Sequence, residues 1–232
     1  MRSLIITGAD GALGRVVTRR LLDEGWTLYA SLFDTASEAK LGELFPDAIN
    51  KSIFGTITNL ADHEQVKSFI HKSGEISGLV HLAGGYKEGK SIADYSLEDF
   101  NFLMDLNTKP TFLLLKEIVP LLKKNNGGSI VTVAAKPVIH PASGNAIYTA
   151  SKSAVLAMTL SVAEECRESH VRANCILPAT LQTPNNLSWA KEEQFKKFTP
   201  LEDVAETIAF LMSEKSKGIT GTLFPMYNEI HA

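Results

Sequence analysis

Short apolar segments alternate with longer amphipathic ones along almost the whole chain, and this alternation is what most constrains the fold. The short segments are typical of buried strands, and the longer ones repeat apolar residues every three or four positions, as helices do. Strands separated by helices pair in parallel, with right-handed crossovers that cover both faces of the sheet. The sequence therefore predicts an α/β fold with a doubly wound parallel sheet.

The predicted elements fill the chain without a low-complexity linker, which predicts a single domain over residues 1–232. Strands are predicted at 4–6, 27–33, 49–54, 78–83, 129–134, 171–177 and 221–226. Helices are predicted at 13–24, 61–71, about 96–124, 146–169 and 201–213. Residues 179–199 interrupt the alternation with a polar stretch after a strand, where a substrate lid is expected.

The charge balance argues against nucleic acid and anionic membranes as partners. Lys and Arg number 23 and Asp and Glu 26, so the formal net charge is −3. Such a chain lacks the basic footprint of a nucleic-acid or membrane-surface protein.

The compartment is predicted from cysteine use and from apolar stretches. Cys166 and Cys175 are too far apart for a redox pair and match no zinc-ribbon pattern, so we expect two buried thiols and no metal site. The N-terminal apolar stretch is too short for a signal peptide, and residues 111–122 are broken by charges and a proline. We expect a cytoplasmic protein without a membrane span.

A glycine-rich turn joins the first predicted strand to the first predicted helix. It reads Thr7-Gly8-Ala9-Asp10-Gly11-Ala12-Leu13-Gly14. Glycines let the backbone approach a pyrophosphate, and the helix N-terminus offers free N–H groups and a positive dipole end. An ordinary turn shares this composition, but its place in the first strand–helix junction favours a dinucleotide site.

The adenosine ribose is expected at the end of the second strand, where an acid binds a 2′-hydroxyl and a base binds a 2′-phosphate. Leu32, 18 residues after Gly14, stands where an acid is usual, and Asp34 follows it. Asp34 either contacts the ribose or caps the next helix. Residues 27–38 contain no Lys or Arg, and Asp10 adds negative charge, so NAD(H) is favoured and NADP(H) is the alternative.

Two Tyr-x-x-x-Lys pairs occur, and their context separates them. Tyr86…Lys90 contains a glycine and follows two more, which predicts a loop. Tyr148…Lys152 begins a predicted helix, where residues four apart share a face. An ammonium beside a phenol lowers the phenol pKa from about 10 toward neutrality. We predict Tyr148 as proton donor or acceptor with Lys152 as its partner, the alternative being a surface helix contact.

Several motifs together resemble the short-chain dehydrogenase/reductase family over essentially the whole chain. They are Thr7-Gly8…Gly11…Gly14, His81-Leu82-Ala83-Gly84 in place of the usual Asn-Asn-Ala-Gly, Asn107, Tyr148…Lys152 and Pro178…Thr183. The resemblance implies a seven-stranded Rossmann fold and a nicotinamide cofactor. It implies Tyr148 as acid/base, Lys152 on the ribose, Asn107 supporting a proton relay through water, and Thr183 on the cofactor's carboxamide or phosphate.

The predicted cofactor-binding set combines the glycine-rich turn with residues that follow later strands. It comprises Gly8, Asp10, Gly11, Ala12, Leu13, Gly14, Asp34, Asn59, Leu60, Ala83, Gly84, Gly85, Tyr148, Lys152, Pro178, Thr180, Leu181 and Thr183.

One position departs from the family pattern. The family's catalytic serine stands 13 residues before the tyrosine, where this chain has Ala135. Alanine has no hydroxyl for a developing alkoxide, and losing such a donor weakens carbonyl reduction by a few kcal/mol. Ser143 and His140 in the same loop either compensate or face solvent. With Trp189, these residues form the predicted substrate region.

A narrower resemblance accommodates the missing serine. Quinonoid dihydropteridine reductases, a branch of the family, also pair Tyr and Lys without that serine. This sequence is similar to them in residues 11–14, 83–86, 177–184, 199–202 and 221–223. Their substrate is a quinonoid imine, for which an alkoxide-stabilising hydroxyl is less needed. Leu32 and Asn107 depart from this branch.

The two longest predicted helices, at 96–124 and 146–169, carry more apolar residues than one buried face needs. In the family the corresponding helices pack between subunits, so we expect a homodimer or homotetramer. The expected function is NAD(P)-dependent reduction, possible substrates being a quinonoid dihydropteridine or an ordinary carbonyl or alcohol. Another interpretation, based on Ala135, is a silent dinucleotide-binding redox sensor.

Overall fold

Seven apolar segments form the strands of one sheet in the computed structural model, which describes residues 2–87 and 89–230. The strands are β1 (Ser3–Thr7), β2 (Thr27–Leu32), β3 (Ile53–Ile57), β4 (Gly78–His81), β5 (Gly128–Val133), β6 (Val171–Pro178) and β7 (Leu223–Met226). All neighbours pair in parallel, in the order β3-β2-β1-β4-β5-β6-β7. The predicted α/β fold with a doubly wound sheet is confirmed.

Helices cover both faces of this sheet. They are α1 (Ala12–Asp23), α2 (Thr35–Leu44), α3 (His63–Lys72), α4 (Leu97–Leu103), α5 (Lys109–Lys124), α6 (Ala146–Glu165), α7 (Pro184–Leu187), α8 (Glu192–Phe195) and α9 (Leu201–Met212). Helices α1 and α9 pack together on one face, and α3, α5 and α6 cover the other. The inner strand β1 is fully buried between the two layers, so its carboxyl end is held at a fixed position.

Strand order reverses at β1, because the chain runs outward to β2 and β3 and then returns to β4 on the other side. A crevice opens outside the carboxyl ends of strands at such a switch point. Thr7 ends β1 and His81 ends β4 in adjacent register. Residues that follow these two strands therefore meet at one edge of the sheet.

The structure corrects several predicted boundaries. The third strand starts at Ile53 rather than residue 49, and α2 had no predicted counterpart because its apolar residues form no clear stripe. The single helix expected over about 96–124 is divided by a π-helical turn at Met104–Thr108. Pro110, which has no N–H to donate, follows that turn. Helix α6 ends at Glu165 rather than residue 169.

Among the described residues, α6 is the one helix whose length and composition would suit a membrane span. A third of its most apolar stretch is buried, and it packs against β6 and β5. The same helix carries Tyr148 and Lys152. Part of the apolar surface of α6 is therefore used for packing on the sheet.

Candidate active site

A cleft of about 780 Å³ lies at the carboxyl ends of β4, β5 and β6. Residues from six separate segments line it, because parallel strands deliver their exit loops to one edge. Predicted residues on its wall are Leu13, Gly84, Gly85, Ala135, Tyr148, Lys152, Pro178, Thr180, Leu181, Thr183 and Trp189. The fold thus brings the predicted catalytic pair and much of the predicted cofactor set together.

The glycine-rich turn is shaped by close backbone packing. Gly8 has φ +70°, and a Cβ on Gly14 would lie 1.8 Å from the Gly8 carbonyl oxygen, so neither position accepts a side chain without strain. Gly11 precedes α1 without a side-chain cap, and Ala12 opens the helix. The first N–H groups of α1 are therefore available to an anion, which fits the pyrophosphate of a dinucleotide.

A smaller pocket of about 170 Å³ continues from the glycine-rich turn along the ends of β1 and β2. Predicted residues that line it are Gly8, Asp10, Asn59, Leu60, Ala83 and Gly84. Leu32 and Phe33 contribute the wall from β2, and Phe33 is 86% exposed. This partly apolar wall suits the adenosine part of a dinucleotide, and we call the pocket the adenosine pocket.

Asp34 serves the helix that follows it. Its carboxylate accepts a hydrogen bond of 2.8 Å from the backbone N–H of Ser37 and caps α2, and it does not line the adenosine pocket. Of the two interpretations open from the sequence, the structure supports the cap. Lys40, just beyond the stretch without bases, lies 3.9 Å from Asp10 through its Nζ and Oδ2. A cation therefore stands closer to the adenosine pocket than the sequence suggested.

The Lys152 side chain reaches into the centre of the site from the first turns of α6. It is buried, and its Nζ donates a 3.0 Å hydrogen bond to the carbonyl of Val133 at the end of β5. Burial lowers the pKa of Lys152 to about 8, because a charged ammonium is costly away from water. The ammonium is thus held by a strand end rather than by a carboxylate.

The pKa of Tyr148 shifts in the direction opposite to the one expected from an adjacent lysine. Burial, and secondarily the neighbouring Tyr86, raise the pKa of Tyr148 to about 12. Desolvation of the phenolate is the larger cause, and the Lys152 ammonium is hydrogen-bonded to the Val133 carbonyl. The phenol is therefore protonated at neutral pH, which is the form that donates a proton.

Asn107 lies in the π-helical turn, almost fully buried, with both ends of its amide engaged. Its Oδ1 accepts from Gly85 N–H at 3.0 Å, and its Nδ2 donates to Gly85 carbonyl at 3.0 Å and Ser151 Oγ at 3.2 Å. A Cβ on Gly84 would lie 2.6 Å from Asn107 Oδ1 and 3.0 Å from Lys152 Nζ. Asn107 therefore fixes the loop after β4 against the helix that carries Tyr148.

His81, which replaces an asparagine of the family pattern, joins the glycine-rich turn to this region. Thr7 Oγ1 lies 2.8 Å from its Nδ1 and accepts from the N–H groups of Leu82 and Ala83. Thr111 Oγ1 lies 3.1 Å from its Nε2 and donates to the Asn107 carbonyl. Burial, with a smaller effect of Lys152, lowers the pKa of His81 to about 3, so the imidazole is neutral.

The loop residues proposed to replace the serine are not in the cleft wall. His140 and Ser143 are exposed and do not line the cleft, and the His140 ring packs edge-on against Tyr227 at 5.8 Å. Ala135 does line it. The polar residues in the wall that the predicted set lacks are Tyr86, Lys136, Asn145, Asn185 and Asn186.

Tyr86 and Asn145 contact each other and the predicted acid. Tyr86 Oη donates a 3.0 Å hydrogen bond to Asn145 Oδ1, and its ring packs edge-on against Tyr148 with centroids 5.1 Å apart. The sequence held two indications: an aromatic residue directly after Gly84-Gly85, and an amide one helical turn before Tyr148. Neither residue type is diagnostic by itself.

The second Tyr-x-x-x-Lys pair is in a loop, as predicted. Lys87 and Lys90 bind the two carboxylate oxygens of buried Asp99 at 2.5 and 2.8 Å, which holds the pKa of Asp99 well below its usual range. This loop is thereby anchored to the start of α4, with Tyr86 at its base.

Residues 179–199 form a folded flap beside the cleft. A bridge between Leu181 and Thr199 closes its base, and the side chain of Gln182 donates to the carbonyls of Phe195 and Phe198. Thr183 caps α7 by accepting from Asn186 N–H at 3.1 Å. The Trp189 ring packs against Phe198 at 5.7 Å and remains mostly exposed.

Comparisons with known proteins agree with this arrangement. The profile of a family described as enoyl-(acyl carrier protein) reductase matches residues 8–226. The 7alpha-hydroxysteroid dehydrogenase of Bacteroides fragilis is 31% identical over 94% of this chain and 90% of its own. The profile match extends from the glycine-rich turn through the last strand.

Solved structures share the fold at lower identity. The NADP-bound structure of ElxO superimposes with a TM-score of 0.92 at 22% identity, covering 99% of this chain and 98% of its own. The 3-ketoacyl-(acyl-carrier-protein) reductase of Brucella melitensis, complexed with NADH, gives a TM-score of 0.87 at 22% identity over 99% and 98%.

Proposed function

This chain belongs to the short-chain dehydrogenase/reductase family and is an NAD(P)-dependent oxidoreductase, and we propose that it reduces a carbonyl group with Tyr148 as the proton donor. The observation that carries the proposal is that Tyr148 and Lys152 line one cleft beside a glycine-rich helix N-terminus, with Asn107 outside the cleft wall holding Gly85 and Ser151. A protein that only bound a dinucleotide would have no need of a buried lysine and a protonated phenol side by side.

The residues present fit a nicotinamide dinucleotide. The turn at residues 8–14 would hold the pyrophosphate, the pocket with Asn59 and Leu60 the adenosine, and Lys152 and Thr183 the nicotinamide half. When bound, the cofactor supplies a hydride. The remaining chemistry is that of the chain: Tyr148 gives its Oη proton to the substrate oxygen, and the Lys152 ammonium stabilises the phenolate left behind.

We propose NAD(H) as the preferred cofactor. Asp10 lines the adenosine pocket and lies beside Lys40, so the cation nearest to a 2′-phosphate is already partly neutralised. No Lys or Arg, Lys40 included, lines that pocket among the described residues. The relatives named above are found with either NADP or NADH, so the preference of this chain rests on its own residues.

The proposed substrate is a ketone with an apolar body. The relatives named above act on hydroxysteroid and ketoacyl groups, and the cleft wall contains Trp189, Leu181 and Ile230 with no carboxylate among its described residues. A second candidate is a quinonoid dihydropterin. Ala135 favours it, because an imine leaves no alkoxide that would need a serine hydroxyl.

We also propose a cytoplasmic homodimer or homotetramer assembled through α5 and α6. A groove of about 480 Å³ between these helices is lined by Phe112, Leu115, Val119, Met158 and Val162, and Phe112 is 51% exposed. An apolar surface of this kind is typical of a subunit contact. Light scattering should give at least twice the mass of the chain at micromolar concentration; a monomer would contradict the assembly.

The function is tested by turnover with a defined panel. Cyclohexanone, menadione and quinonoid 6-methyldihydropterin are offered with NADH and NADPH in parallel, while cofactor absorbance is followed at 340 nm. We expect carbonyl reduction with NADH. Reduction of the pterin alone would select the second candidate, and tight NADH binding without any turnover would contradict both.

A further inference from the structure

We propose that the Asn145 side-chain amide, oriented by Tyr86, donates to the substrate oxygen the hydrogen bond that position 135 cannot supply. This inference deepens the proposed function and rests on it. Asn145 would be a catalytic residue because it touches the reacting oxygen, whereas Tyr86 would be a positioning residue that acts through Asn145.

The first support is location. Asn145 stands three residues before Tyr148, so the two side chains lie on neighbouring positions of one helix face. Both line the cleft together with Ala135. The polar groups that sequence alone offered as substitutes, on His140 and Ser143, do not line it.

The second support is the hydrogen bonding of the Asn145 amide. Tyr86 Oη donates to Asn145 Oδ1, which assigns the oxygen to Tyr86 and leaves the Nδ2 group on the other side. Asn145 precedes α6 without capping it through its side chain, and Nδ2 has no hydrogen-bond partner among residues 2–87 and 89–230. A free N–H donor in the wall of a carbonyl cleft is therefore available to a ligand oxygen.

The third support is rigidity. Tyr95 Oη donates to the Gly144 carbonyl at 3.0 Å, and Lys90 N–H donates to the same carbonyl at 2.9 Å. A Cβ on Gly89 would lie 2.7 Å from that carbonyl oxygen and 2.9 Å from Asn145 Oδ1. The loop after β4 and the loop before α6 are thus packed tightly together, so the amide is held in place before substrate arrives.

The proton balance assigns each group one task. The substrate carbon gains the hydride, the substrate oxygen gains the Tyr148 proton, and Tyr148 becomes a phenolate that solvent reprotonates. Asn145 keeps both of its protons and only stabilises the negative charge that develops on oxygen. Neutral amides perform this role in other enzymes, where removing one such donor costs about 100-fold in kcat.

The test is Asn145→Ala, with Ala135→Ser added as a rescue, using the member of the carbonyl panel that wild type reduces best. We expect Asn145→Ala to lower kcat about 100-fold with the NADH Kd and the thermal midpoint nearly unchanged. The double variant should recover at least about tenfold, because a serine hydroxyl restores a donor from the facing strand end. A purely structural asparagine would not be rescued from position 135.

Two tyrosine variants test the positioning role. Tyr86→Phe removes the bond to the amide and should lower kcat about tenfold, since the amide is present but no longer oriented. Tyr29→Phe removes a hydroxyl from β2, outside the cleft and outside this pair of loops, and should turn over like wild type.

The outcomes separate the two claims. A wild-type reductase whose Asn145→Ala variant stays within about threefold in kcat, or whose double variant recovers nothing, overturns this inference alone. A wild-type chain that binds NADH and reduces nothing overturns the proposed function and this inference with it.

Discussion

The proposed dinucleotide site has two ends, and they are built in different ways. The reaction end is the cleft that contains Tyr148, and the adenosine end is the adenosine pocket. At the reaction end, Lys152, Asn107 and His81 are buried, and their polar groups bond to the Val133 carbonyl, to Gly85, and to Thr7 and Thr111, respectively. At the adenosine end, Phe33 is exposed, Asp34 is used as a helix cap, and Lys40 meets Asp10 only at 3.9 Å.

This difference indicates which properties the fold fixes firmly. Buried, hydrogen-bonded groups leave few alternative arrangements, so the chemistry should be sensitive to small changes. Exposed charged side chains that lie far from each other or from the ligand contribute little to binding, because water and salt screen their charges. We therefore expect large effects at the reaction end and small, graded effects on cofactor preference.

The largest effect is expected at the proton donor. Tyr148→Phe keeps the ring and removes the Oη proton, so kcat should fall about 1000-fold while the NADH Kd changes little. Stopped-flow kinetics and a fluorescence titration of NADH check both values. An equal loss in binding and turnover would mean that the reaction end is not separate from cofactor binding.

The glycine-rich turn should control binding instead. An alanine Cβ at position 14 would overlap the Gly8 carbonyl at 1.8 Å, so Gly14→Ala must displace the turn and weaken NADH binding about 100-fold. Gly42→Ala is the matched control, since nothing outside its neighbours and the backbone of α2 lies within 4 Å of the added Cβ. Unchanged NADH affinity in Gly14→Ala would show that the turn does not hold the cofactor.

His81 lies between the two ends, and its buried neutral imidazole should make the free energy of unfolding depend on pH. Because its pKa is lowered to about 3 from an ordinary 6.5, the unfolded chain binds one more proton between those values. The free energy of unfolding should therefore fall as pH falls below 6.5, by up to about 1.4 kcal/mol per pH unit. Urea titrations from pH 7 to 4.5 should show a shallower slope for His81→Asn, whereas exposed His71→Asn should match wild type.

The smallest effect concerns cofactor choice. Asp10→Asn removes the acid beside Lys40, and the freed cation should raise kcat/KM with NADPH about threefold relative to NADH at low salt. Asp203→Asn on α9 changes the net charge equally and should leave the ratio alone. A ratio that moves equally in both variants would reflect net charge rather than this pair.

The same contrast explains what the sequence could predict. Periodicity located the sheet, and the placement of glycines and of Tyr148…Lys152 located the cleft, because these features are local or follow from parallel topology. The direction of the Tyr148 pKa was wrong, since burial depends on residues far along the chain. The pairing of Tyr86 with Asn145 also joins residues 59 positions apart, and no local pattern encodes it.

The central claim is that this cleft transfers a hydride to substrate while Tyr148 supplies the proton. The most direct test uses NADH with deuterium at both C4 positions of the nicotinamide and the ketone that wild type reduces best, followed by mass spectrometry of the alcohol. We predict one carbon-bound deuterium in the product from wild type and almost no product from Tyr148→Phe. Product without deuterium, or undiminished turnover by Tyr148→Phe, would contradict the account.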